Sequence, residues 1–200
     1  AENTATFDDL YFEGDVIASN NVGGLMGWIG SADANFIPGG NTMGPITVNL
    51  NNIKIDATIT GDSSEMGAQR YGGLVGNVVA DDDGDEFDET TTLNASKVLL
   101  DVEFVDLQSQ DLTPKVGLEA TNTGSQSCLF YVDIQNHTES LAAGFTKISQ
   151  ADKTDVTALS CLGIESPVSS TNGSPIWYQQ SGSNGDAVSL EFGKLEGFVD

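Results

Sequence analysis

The sequence predicts an all-β fold, either a β-sandwich of jelly-roll or Ig-like type or a short β-solenoid with Gly-Gly-Leu-x-Gly turns. Three observations lead there. A glycine cluster occurs twice, as Gly23-Gly24-Leu25-Met26-Gly27 and Gly72-Gly73-Leu74-Val75-Gly76. Apolar alternation follows each copy, Ile53-Lys54-Ile55-Asp56-Ala57-Thr58-Ile59 after the first and Val98-Leu99-Leu100-Asp101-Val102-Glu103-Phe104 after the second. A long alternating stretch also opens the chain. Glycine lets a backbone turn tightly or approach a neighbouring strand, and alternation with period two puts every second side chain on one face. The whole reads as one exported β domain, 1–200, with a subdivision into a duplicated half, 1–111, and a half closed by a disulfide, 112–200.

In chain order, residues 4–19 form the first strand, with Phe7, Leu10, Phe12 and Val16 among its apolar positions. A strand at a chain end can pair inside its own sheet or with the open edge of another subunit. Trp28, beside a glycine cluster, reads as a core plug; stacking on a sugar is the other use of an aromatic there. Pro38-Gly39-Gly40-Asn41 is a turn. From Ile46 to Thr60 the alternation resumes after an interruption at Asn51-Asn52, which predicts a hairpin or a bulge.

Leu93–Leu107 is the strand region of the second copy, and Thr113-Pro114 marks a turn. In Cys128–Ile134 apolar residues occupy both alternating sets, so both faces of that strand are expected to be partly buried, and this half reads as a sandwich. Glu139–Phe145 suits a helical turn. Val156–Ile164, strand-like in composition, carries the second cysteine. Ile176-Trp177-Tyr178 is an edge strand or an exposed aromatic tip, and Ala187–Val199 a closing strand with a bend.

Gly-Gly-Leu-Val-Gly, together with the alternating strand ending at Thr60-Gly61 and the irregular turn after it, resembles the GLUG motif of bacterial surface adhesins and secreted proteases. The resemblance covers roughly residues 20–110 and implies an extracellular, repetitive β module without an active site of its own.

Charge limits the partners. Thirty Asp and Glu against seven Lys and Arg leave a formal net charge of −23, which repels nucleic acid and anionic lipid and favours cations, salty water or a basic partner. With 38% hydrophobic residues and no apolar run near the length of a membrane helix, no membrane span is expected. The opening Ala1-Glu2-Asn3-Thr4 reads as the end left by a signal peptidase, hence an extracellular or cell-surface location. Cys128 and Cys161, the only cysteines, are expected to form one disulfide in an oxidising compartment, worth about 3–4 kcal/mol in the chain-entropy model. A reactive thiol would need a basic neighbour, and His137 is the only histidine.

The acidic run Asp81–Glu89 admits two readings, a solvated loop or a calcium site built from Asp81, Asp83, Asp85 and Asp88. It is not an EF-hand. With Gly84 at the glycine position, Val79 and Thr90 fall where the first and last ligands belong. Neither glycine cluster continues into Gly-Lys-Ser/Thr, so phosphate binding is not expected. There is no Gly-x-Ser-x-Gly elbow and no zinc ligand set, and carboxylate pairs in so acidic a chain carry no signal. The expectation is a non-enzyme without an obligatory cofactor.

Two functions follow. The first is a structural subunit of an extracellular filament, pilus or adhesive layer that self-associates by strand pairing through residues 4–19. In that role Phe7, Leu10, Phe12 and Val16 would be buried in the next subunit, each contributing about 1.5–3 kcal/mol. The second is a secreted carbohydrate-binding module that holds surface glycans on Trp28, Trp177 and Tyr178, with or without calcium.

Overall fold

The computed structural model describes residues 3–18, 21–30, 45–61, 70–79, 91–105, 124–132, 144–150, 152, 155, 157–164, 177–180 and 189–192. The fold is all-β. Its strands are β1 (Asn3–Ala18), β2 (Asn21–Gly23), β3 (Met26–Gly30), β4 (Ile46–Gly61), β5 (Arg70–Gly72), β6 (Val75–Val79), β7 (Thr91–Val105), β8 (Gln126–Val132), β9 (Phe145–Ile148), β10 (Trp177–Gln180) and β11 (Ser189–Phe192). A five-stranded sheet runs in the order β1-β4-β7-β8-β9, and every pairing in it is parallel. The sheet continues from β7 to β8, across the point where the sequence suggested a subdivision.

Parallel neighbours need a crossover, and the glycine clusters lie on it. β2 pairs with β5 and β3 with β6, again in parallel, so the two clusters stack directly with Gly23 beside Gly72 and Met26 beside Val75. Leu25 N–H donates to Leu74 O at 3.0 Å, and Gly24 N–H to Gly73 O at 3.2 Å. A Cβ on Gly24 would collide with the Gly73 carbonyl, and one on Gly76 would stand 2.6 Å from Gly27 O. The duplicated glycines are therefore required by each other: two backbones pass where no side chain fits.

The long strands bend, and they bend together. Asp9, Asn52, Lys97 and Cys128 all have left-handed backbones, with φ of 61°, 55°, 54° and 58°. The registers Asp8↔Asn51↔Ser96↔Ser127 and Leu10↔Ile53↔Val98↔Leu129 place these residues in one column across four adjacent strands. A single left-handed residue turns the chain and reverses the alternation without breaking the strand. Leu50 and Ile53, three apart, thus both face inward. At Asn51-Asn52 the chain makes this bend inside a continuous β4, not a hairpin.

Inward residues of each segment stack on their counterparts. Phe7, Leu50 and Ala95 form one column, Leu10, Ile53, Val98 and Leu129 the next, then Phe12, Ile55, Leu100 and Tyr131. They meet Val22, Ile29, Tyr71, Leu74, Val75 and Val78 from the glycine-cluster strands in one hydrophobic core. A second, smaller core lies on the outer face, where Leu99, Phe130, Val132 and Ile148 are covered by Leu159, Leu162 and Trp177. β8 therefore buries both faces, as its sequence pattern predicts: Leu129 and Tyr131 enter the first core, Phe130 and Val132 the second.

Two expectations for the second half change, and a third falls mostly outside the described residues. The sheet from β7 to β9 is parallel, whereas Ig-like and jelly-roll sandwiches pair strands antiparallel; among the described residues only β10 and β11 do so. Cys161 lies in a short 3-10 helix, Ser160–Leu162, ended by left-handed Gly163, and not in a strand. Of Glu139–Phe145, residues 139–143 lie outside the described residues and Phe145 opens β9. Cys128 and Cys161 form the disulfide, with Cα atoms 5.8 Å apart. It ties the bend column to the segment that covers the outer core.

Candidate functional site

β1 pairs with β4 along its length and, among the described residues, with nothing on its other side. In this single chain β1 lies in its own sheet. Asn3 N–H donates to Pro45 O at 3.0 Å. Alternate residues of a strand direct their backbone groups to opposite sides, so Thr4, Thr6 and Asp8 direct theirs to the open side. That is an edge able to accept another strand.

Its inner face is incompletely covered. Phe7, Leu10, Phe12 and Val16 pack against the first core but are only partly buried. One strand further in, their partners Leu50, Ile53, Ile55 and Ile59 are 2%, 0%, 0% and 0% exposed. Among the described residues, no further strand lies beyond β1 to cover them. On the outer face, Tyr11 and Ile17 are 42% and 71% exposed. Tyr11 donates its hydroxyl to Glu13 Oε2 at 2.6 Å, and Lys54 Nζ sits 4.9 Å above the Tyr11 ring.

Polar ladders fix the register right up to this edge. Ser125 N–H donates to Asn94 Oδ1 at 2.7 Å, Asn94 Nδ2 to Asn49 Oδ1 at 2.8 Å, and Asn49 Nδ2 to Thr6 Oγ1 at 3.3 Å. In the bend column Asn52 Nδ2 donates to Asp9 Oδ1 at 3.0 Å. Both ladders end on oxygens of β1, at Thr6 and Asp9.

Past the bend the outer surface turns acidic. Glu13, Asp56 and Asp101 form one column, Asp15, Thr58 and Glu103 the next. A groove of about 360 Å³ runs between Asp15, Asp56, Asp101, Glu103 and Gln150, and Gln150 Nε2 lies 3.4 Å from Asp101 Oδ1. Among the described residues, no three His, Cys, Asp or Glu converge as metal ligands. Asp81, Asp83, Asp85 and Asp88 lie outside the described residues, as does His137.

The aromatic candidates exchange places. Trp28 is half exposed, because its neighbour Ile29 takes the inward position on β3, so it does not plug the core. Trp177 is 1% exposed, sealed in the second core with its Nε1 donating to Asn52 Oδ1 at 3.3 Å, and offers no face to a sugar. Tyr178 falls on β10, with its side chain outside the described residues.

The left-handed column escaped the sequence reading except at Asn51-Asn52. A signal was present: Phe7 and Leu10, Leu50 and Ile53, and Ala95 and Val98 each interrupt period two by the same spacing. No protein-family model matches the chain, and comparison with curated proteins and with solved structures finds no match.

Proposed function

We propose that the chain is a structural subunit of an extracellular filament, pilus or adhesive surface layer, wound as a short β-solenoid and joined to its neighbours by strand pairing at β1. The observation that carries the reading is the β1 edge: one side of the strand is paired, the other is open among the described residues, and Phe7, Leu10, Phe12 and Val16 are half covered. Addition of a strand to that edge satisfies backbone groups and completes an apolar surface at once. The stacked Gly-Gly-Leu-x-Gly turns suit a repetitive β module, and the acidic composition suits a protein exposed to salty surroundings. The reading involves no catalysis.

Negative-stain electron microscopy of concentrated full-length protein, with and without calcium, tests it. Regular filaments or two-dimensional layers are expected. Dispersed monomers under both conditions would remove the reading, and filaments only with calcium would assign the switch to Asp81, Asp83, Asp85 and Asp88.

A second reading, glycan binding, is favoured by Trp28 alone, which is 50% exposed. An aromatic face in water is a stacking surface for a sugar ring. Retention of the protein on polysaccharide, lost in Trp28→Ala and kept in Tyr11→Ala, is the expected pattern; no retention on a broad glycan panel would dismiss it.

A further inference from the structure

We propose that β1 of one copy pairs antiparallel with β1 of a second copy, about a two-fold axis at the Asp8-Asp9 bend, and that the carboxylates gathered there keep the copies apart at low ionic strength. The inference rests on the reading of the chain as an assembling subunit and names the partner at the β1 edge; a two-fold pair closes on itself, so it is the dimeric unit from which filaments or layers grow through further contacts.

Length, bend and alternation each select this partner. β1 has 16 residues, whereas the opposite edge of the sheet, β9, has four and leaves most of β1 uncovered. A strand laid along β1 must bend where β1 bends. Asp9 is the member of the left-handed column that lies on β1, the long edge strand of the sheet. Two bent strands related by a two-fold axis through the bend turn the same corner.

Alternation then sets the register. With Asp8 of one copy opposite Asp9 of the other, Phe7 falls opposite Leu10 and Ala5 opposite Phe12, all on the core side. Thr6 falls opposite Tyr11 and Thr4 opposite Glu13, all on the outer side. A slip of one residue would set core-facing positions against outward ones. The half-buried Phe7, Leu10 and Phe12 would thereby lose their remaining exposure.

Charge opposes the same register. β1 carries Asp8, Asp9, Glu13 and Asp15 and no Lys or Arg. The pairing brings Asp8 and Asp9 of both copies to the axis, and like charges directly opposite each other destabilise a strand pair. Repulsion between exposed charges reaches about 30 Å at 0.01 M salt and about 3 Å at 1 M. Salt therefore promotes this association.

Sedimentation velocity of the full chain at about 0.01 M and about 1 M sodium chloride tests the proposal. Wild type is expected as monomer in low salt and dimer in high salt, the dissociation constant falling by about tenfold or more. Asp8→Asn with Asp9→Asn should dimerise in low salt, because amides keep the size, the left-handed preference at residue 9 and the acceptor for Asn52. Thr4→Pro, which removes an edge N–H pointing away from β4, should stay monomeric. Register is checked by combining Thr6→Cys with Tyr11→Cys: oxidation in high salt should link two chains, since the two positions are too far apart on one strand to join.

A charge-neutralised variant that stays monomeric in both salts, a dimer of wild type weakened by salt, or no inter-chain link between positions 6 and 11 would each overturn the pairing. Assembly of wild type with Thr4→Pro monomeric and no link between positions 6 and 11 would overturn the two-fold pairing while leaving strand pairing at β1 standing; filaments formed by Thr4→Pro as readily as by wild type would overturn both. Monomers throughout, in wild type and both edge variants, would remove both.

Discussion

Trp177 Nε1 donates a hydrogen bond to Asn52 Oδ1 at 3.3 Å, across 125 positions of sequence. Asn52 is 6% exposed, has φ of 55°, and gives its own amide hydrogen to Asp9. One side chain thus joins the bend column, the open edge and the cover of the second core.

Asn52→Gly keeps the left-handed backbone but removes the acceptor of the indole N–H and is expected to cost about 1–3 kcal/mol. Asn52→Ala adds the left-handed penalty of about 1–2 kcal/mol. Urea denaturation followed by Trp fluorescence separates the two; equal losses would mean that backbone conformation at residue 52 matters little.

Lys97 stands in the same column with φ of 54° but lacks the short polar side chain that tolerates it. Lys97→Asn should therefore raise stability by about 1 kcal/mol, measured by the same denaturation. Destabilisation would show that the Lys97 side chain makes a contribution larger than the strain it carries.

Core position decides the cost of truncation. Ile55 is 0% exposed with β1 and β7 on either side, so Ile55→Ala should cost about 2–5 kcal/mol. Phe12, its partner on β1, is only partly buried, and Phe12→Ala should cost less than Ile55→Ala in dilute, low-salt protein despite the larger side chain removed. In conditions that promote assembly the order should narrow, as the Phe12 column becomes covered.

Asp152 closes the turn after β9. Its carboxylate accepts from Ser149 Oγ at 2.7 Å and from Ser149 N–H at 3.1 Å, and these bonds hold its pKa below the ordinary 3.8. A depressed folded pKa stabilises above the unfolded value and is lost as pH falls through the folded one. The turn should stay closed through mildly acidic pH and loosen only below the usual carboxylate range. NMR titration of the Asp152 carboxyl checks this, with Ser149→Ala returning it toward 3.8.

Strand positions and core faces were written locally, because period-two alternation depends only on neighbouring residues. β1, β4 and β7 fall where the pattern places them, β8 buries both faces as its composition demands, and the two cysteines pair. Direction and partnership of the strands were decided by the tertiary structure. Alternation is the same for parallel and antiparallel neighbours, so β8 read as part of a sandwich until its pairing with β7 was seen. Which tryptophan is exposed was settled likewise: Ile29 displaces Trp28 outward, while Trp177 joins Leu159 and Leu162, beside the Cys128 to Cys161 link, in the second core. The left-handed column depends on four residues far apart in sequence, and only stacking brings them into one line.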